Sequence, residues 1–230
     1  MSKKAWIIFG IICVAVLGIL IYFSGKNKVD VGNVEVNKIL GATPASGNIG
    51  DHVFGKKDSK VVLIEYGDFQ CPGCGGIHPT IKKVTEKYKD QIAFVFRNFP
   101  IASKHPNARA AAAAVEAAGL QGKYWEMHNM VFESQASWEN LTANDRGNFF
   151  IDYAKQLHLD ESKFKADMES ENTSQKINYD QALGKKAGVE ATPTFFLNGK
   201  KIGDNVWGKE ETLESTLNEQ LKASGVALPE

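Results

Sequence analysis

An apolar run, Val61-Val62-Leu63-Ile64-Glu65-Tyr66, leads within five residues into Cys71-Pro72-Gly73-Cys74, and a helix-compatible segment follows. Such a near-continuous apolar run reads as a strand covered on both faces, the pattern of a parallel sheet. Pro72 suits the first turn of a helix. Ile77, Ile81, Val84 and Tyr88 then recur at three- and four-residue spacing, which gives that helix one buried face. The cysteines therefore stand where a strand hands over to a helix. There the backbone N–H groups and the macrodipole favour a thiolate on Cys71, with Cys74 one turn further in. This placement suits thiol–disulfide exchange. Cys-x-x-Cys pairs also hold zinc, and His78 offers a third ligand, although no fourth is evident.

The rest of the chain extends the pattern. Residues Gln91–Phe99 alternate Ile92, Phe94 and Phe96 against Ala93, Val95 and Arg97, a second strand. Val61–Phe99 is thus a βαβ unit, right-handed on general grounds. A short strand is expected near His52-Val53-Phe54. The middle reads as helical: His105–Leu120 with its run Ala110–Ala114, then Gly122–Phe132. Further helices open at Thr142 with Asp145, at Asp160 and at Asn172. Strand character returns at Thr194–Leu197, turns at Asn198-Gly199 and continues through Lys200–Ile202, a hairpin signal. Glu210–Leu221 closes as an amphipathic helix. The aromatic residues Phe69, Tyr124, Trp125 and Phe132 read either as an apolar contact surface or as core of the helical block.

Charge and cysteine content narrow the function. Lys+Arg and Asp+Glu both number 27, so no net field draws the chain to nucleic acid. Three cysteines are too few for a disulfide scaffold. Glu65 interrupts an apolar strand, where a charge is costly unless paired or neutralised. It reads as a proton acceptor for Cys74, or as a carboxylate at the core's edge with a lysine partner.

The N-terminus carries a second signal. Ala5–Phe23 is 19 residues without charge, flanked by Lys3 and Lys4 and by Lys26 and Lys28, with Trp6 and Tyr22 near its ends. As a helix it is roughly 28 Å long, against a hydrocarbon core of about 30 Å. A cleaved signal peptide normally has a shorter apolar region and a small-x-small site, whereas this run ends Tyr22-Phe23-Ser24-Gly25. Residues 1–25 are therefore expected as an uncleaved membrane anchor, with the catalytic domain on the extracytoplasmic side. Residues 26–50 are expected as a linker.

Three stretches together resemble the thioredoxin superfamily and, within it, the DsbA-like thiol–disulfide oxidoreductases. They are Glu65-Tyr66-Gly67-Asp68-Phe69-Gln70-Cys71-Pro72-Gly73-Cys74, the helical segment with His105-Pro106 and Gln121-Gly122-Lys123-Tyr124-Trp125, and Gly188-Val189-Glu190-Ala191-Thr192-Pro193-Thr194-Phe195-Phe196. The resemblance implies an α/β chain with a thioredoxin fold, residues 51–103 and 185–230, and a helical domain, 104–184, inserted between its βαβ and ββα halves. It implies Cys71 as nucleophile, Cys74 as resolving thiol, Glu65 as the buried acid, and Thr192-Pro193 as a cis-proline loop facing the pair. It implies a protein disulfide oxidoreductase that needs no cofactor, acts on exported proteins and is reoxidised by a quinone-linked membrane partner. Two other readings are a reductase or isomerase of the same fold, and a non-catalytic or zinc-binding tethered module.

Overall fold

The computed structural model describes residues 3–26 and 29–229, with side chains described from 6 to 18 and from 29 onward. The chain divides into two compact units, residues 1–30 and 31–230. In the first, helix α1 spans Lys3–Lys26, and its described large apolar side chains, Trp6 to Leu17, are exposed. Among the described residues no helix is long and apolar enough to cross a membrane, so the expected transmembrane helix is not found there. The side chains described within α1 stop at residue 18; those of Tyr22 and Lys26, and all of Lys28, lie outside the described residues.

The second unit is built on five strands and nine α-helices among its described residues. Strands β1 (Val53–Gly55) and β2 (Val62–Gly67) precede helix α2 (Pro72–Lys87) and strand β3 (Ala93–Asn98). Helices α3 (Ala108–Gly119), α4 (Tyr124–Glu133), α5 (Gln135–Trp138), α6 (Ala143–Gln156), α7 (Glu161–Met168) and α8 (Glu171–Lys186) follow. The chain ends with β4 (Thr194–Leu197), β5 (Lys200–Ile202), α9 (Asp204–Trp207) and α10 (Glu210–Ala223). The sheet order is β1-β3-β2-β4-β5, with β2 and β3 parallel and all other pairs antiparallel. The βαβ and ββα halves thus flank a helical insertion, as expected. Asn198 and Gly199 both take positive φ, 45° and 80°, as the two-residue hairpin between β4 and β5 requires.

Two apolar clusters hold the layers. Leu63, Phe195 and Leu197 from the sheet meet Ile77, Ile81 and Val84 of α2 and Leu213, Leu217 and Leu221 of α10. In the second cluster, the alanine face of α3 packs with Trp138, Phe150 and Phe164 of the insertion. Small side chains let α3 lie close to its neighbours. Phe69, Tyr124 and Phe132 are buried here and Trp125 packs on Phe54 and Phe94, so this aromatic set is core rather than contact surface. The start of α8 also differs from expectation. Ser170, not Asn172, caps it by accepting from the Thr173 N–H, because its extended backbone turns the hydroxyl inward.

Residues 31–51 do not behave as a free linker. They lie on the sheet unit as a strap, and its carbonyls are gripped by two cations. Lys186 Nζ donates to the carbonyls of Val31, Gly32 and Val34 at 2.7–2.9 Å. Arg97, fully buried on β3, donates to the carbonyls of Val36 and Lys38 at 2.5 and 2.6 Å, to Tyr66 Oη at 2.8 Å, and to both Asp51 oxygens at 2.7 and 3.3 Å. All five guanidinium N–H donors are thereby used. Lys176 of α8 joins the same buried group, 3.3 Å from Asp51 and 2.7 Å from Asp180.

Candidate active site

Strand β2 carries Glu65 between Phe96 of β3 and Phe195 of β4, then delivers the chain to the loop Asp68–Cys71. Cys71 is the N-cap of α2 with extended backbone (φ −69°, ψ 123°), and Pro72 fills the first helical position. Both cysteines are free thiols, Cys71 8% exposed and Cys74 1%. The Cys71 thiol donates to the Thr192 carbonyl at 3.3 Å, and the Thr192-Pro193 peptide is cis. A methyl group on Gly73 would come 3.3 Å from the Pro193 ring and 3.7 Å from the Cys71 sulfur, so the two loops are in close contact. The structure thus brings Cys71, Cys74, Thr192 and Pro193 together, with Glu65 buried below them.

The electrostatics separate the two sulfurs. Donation from the Cys74 thiol, opposed by burial and helped by the Thr192 hydroxyl and the Cys74 and Gly73 N–H groups, holds Cys71 at about 5 instead of 9.0. The Thr192 hydroxyl is buried without a hydrogen-bond partner in the dithiol form and becomes a donor once the sulfur ionises. Burial, the bond to Cys71 and the nearby charges of Glu65 and Cys71 push Cys74 well above its ordinary value. Burial, then the charge on Cys71, raises Glu65 to about 8. The arrangement offers one thiolate at neutral pH, one protonated thiol behind it, and an acid that stays protonated to mildly alkaline pH.

Several residues that hold this loop were not assigned by sequence reasoning. Asp68 Oδ2 accepts from the Ile101 N–H and from His105 Nδ1 at 2.7 and 2.8 Å, and its Oδ1 accepts from the Gln70 N–H at 2.8 Å. Gln70 accepts from the Asn107 N–H at 2.6 Å and donates to the Glu139 carbonyl at 2.8 Å. Asp68 and His105 lie in the stretches that carry the family resemblance, which is the signal that could have found them. His78 is buried and stacks on Phe132, with ring centroids 4.9 Å apart. Its Nε2 and that of His128 have no hydrogen-bond partner, and burial holds both imidazoles neutral, at about 4 and about 3. Both line a cavity of about 20 Å³, room for a single water, which neither cysteine reaches. Among the described residues no group of three or more His, Cys, Asp or Glu side chains is placed to hold a metal ion.

A thiol at a helix N-terminus, a buried second thiol and a cis-proline loop on this sheet are the parts of a protein disulfide oxidoreductase of DsbA-like type. The chain belongs to the thioredoxin family, whose model, described as Thioredoxin, matches residues 47–219. Its structure is similar to that of BdbD from Bacillus subtilis in the oxidised form, with 26% identity and a TM-score of 0.66 over 80% of this chain and 98% of that one. The fold also matches MdbA, a thiol-disulfide oxidoreductase from Corynebacterium diphtheriae, at 21% identity and a TM-score of 0.59 over 78% of this chain and 98% of that one. Among curated proteins it is 36% identical over 151 residues to the Na(+)/H(+) antiporter NhaA 1 of Salinispora arenicola, covering 66% of this chain and 22% of that protein. NhaA 1 of Mycolicibacterium vanbaalenii gives 37% over 151 residues, 65% of this chain and 23% of that one. The chain thus spans less than a quarter of the length of these curated relatives, and antiport is a property of those whole proteins.

Proposed function

We propose that the protein donates disulfides to exported proteins through Cys71 and Cys74. The observation that carries this reading is the split between the two sulfurs, Cys71 held at about 5 and Cys74 raised. A thiolate that ionises this readily stabilises the reduced pair, which makes the disulfide form the better oxidant. In the donating direction a substrate thiolate attacks the Cys71 sulfur of the disulfide and forms a mixed disulfide. Cys74 leaves as a thiolate and takes a proton from Glu65. A second substrate thiolate then attacks the substrate sulfur, a disulfide forms in the substrate, and Cys71 departs as the stable thiolate. The substrate loses two electrons, which the dithiol holds until an acceptor, a quinone-linked membrane partner on this reading, removes them. Glu65 regains its proton from solvent as the Cys71 thiolate re-forms; in the reverse direction it gives that proton up to solvent once Cys71 is tied in the mixed disulfide, and then accepts the Cys74 proton. Thr192-Pro193 presents main chain beside Cys71, against which an extended substrate segment pairs.

Residues 51–103 and 185–230 form the redox domain on this reading, and 104–184 supports it. Residues 1–25 anchor the chain in the membrane with this domain outside the cytoplasm. The uncharged run Ala5–Phe23 and the exposed apolar side chains of α1 support the anchor. Equilibration with glutathione and thiol trapping in cells test the direction. A donor is found mostly oxidised in cells; a mostly reduced pair would mean a reductase or isomerase.

Glu65 provides a separate check. Its carboxyl ionises at about 8 in the fold, against an ordinary 4.5. The unfolded chain therefore releases this proton first, and the stability that Glu65 contributes falls as pH rises from about 4.5 through about 8. Glu65→Gln is expected to remove this contribution, read as the difference from the parent in urea melts of the dithiol protein across that pH range, and to slow proton-coupled exchange on the order of 10²-fold. Unchanged slope and stopped-flow rates would remove Glu65 from the reaction.

A further inference from the structure

Among the groups by which the helical insertion holds the loop before Cys71, one side-chain amide reaches the loop backbone on both sides of Gln70-Cys71. Gln135 Nε2 donates to the carbonyl of Phe69 at 2.7 Å and to the carbonyl of Cys71 at 3.0 Å. Two carbonyl acceptors fix which end of the amide faces the loop, since only the NH₂ group has two protons to give. The Cys71 carbonyl accepts a second bond, from the Gly75 N–H at 3.0 Å. That carbonyl belongs to the peptide plane joining Cys71 to Pro72, so two donors on it set the Cys71 ψ angle. The same ψ angle sets how the first turn of α2 faces the sulfur.

The support behind Gln135 is rigid. It opens α5, whose Trp138 is fully buried and donates from Nε1 to the Val131 carbonyl at 2.8 Å. Gly75 makes the approach feasible, because a Cβ there would lie 2.5 Å from Gln135 Oε1. The amide therefore sits between the loop carbonyls on one side and the first turns of α2 on the other.

We propose that Gln135 is a positioning residue for the redox pair: by pinning the peptide planes on both sides of Gln70-Cys71 it keeps the first-turn N–H groups of α2 aimed at the Cys71 sulfur. The insertion thereby tunes a thiol it does not itself carry. This rests on the reading of Cys71 as the attacking thiol, and not on the direction of exchange.

The test is the pH titration of the Cys71 thiolate by its absorbance near 240 nm, run beside the glutathione equilibrium. Gln135→Met keeps the length and loses both donors; its midpoint is expected to rise by about one pH unit, the size of effect one hydrogen bond to a charged group brings. Gln135→Glu adds a negative charge as well, and its midpoint is expected to rise further. Gly75→Ala displaces the amide from the other side and is expected to move the midpoint in the same direction. The glutathione equilibrium shifts with it, toward a more weakly oxidising pair. Folded Gln135→Met and Gln135→Glu proteins whose midpoints match the parent would overturn the proposal. A parent pair that proves reducing, with the variants still shifted, would instead overturn only the donor reading.

Discussion

Replacing Arg97 with methionine is expected to destabilise the folded chain by about 3–5 kcal/mol, the cost of breaking a buried ion pair by removing one partner. The guanidinium is fully buried and uses all its donors, so methionine leaves Tyr66 Oη and the Val36 and Lys38 carbonyls each short of a bond. It also leaves Asp51 with Lys176 as its remaining cation. In the parent, burial raises Asp51, but Lys176 and then Arg97 outweigh it and hold the carboxyl at about 2. Its depressed value means that this contribution is full above the ordinary 3.8 and is lost as pH falls through about 2. Urea melts at neutral pH should show the loss, and acid unfolding of the variant should begin closer to neutrality. Limited proteolysis should cut first within 31–50. A variant as stable as the parent would mean that the strap contributes little to the fold.

Cys71→Ser is expected to reduce exchange to the uncatalysed rate in insulin-reduction and peptide-oxidation assays. The alcohol does not ionise at neutral pH and forms no mixed disulfide. The titration step at about 5 should vanish with it, since Cys74 ionises far higher. Cys74→Ser is expected to do something different: it keeps the attacking thiolate but has no second thiol to resolve the intermediate, so covalent complexes accumulate on non-reducing gels. If instead Cys74→Ser lost the low titration step completely and trapped nothing, the roles of the two sulfurs would be exchanged.

The parts of this molecule that sequence revealed are those whose signal is local. The run to Tyr66, the Cys-Pro-Gly-Cys pair at a helix start and the Asn198-Gly199 turn each carry their structure within a few residues. What escaped depends on partners distant in the chain. Arg97 finds Asp51 46 residues away, and Lys176 finds it 125 away. An arginine in an alternating strand reads as an outward residue until such partners are known. The glycine-rich stretch before the first strand likewise has linker composition, and the carbonyls by which Lys186 and Arg97 hold it are reported by no side-chain pattern. Gln135 is a polar residue at the start of a four-residue helix, with no motif around it. Its role exists only where α5 meets the loop.

The strap has a mechanical side. Tension entering the chain upstream of Val31 meets the ammonium of Lys186 first and then the guanidinium of Arg97, which lead it into α8 and β3. The cysteine loop lies beyond both fastenings. A pull on the chain at Val31 would thus be carried into α8 and β3 before it could reach the cysteine loop.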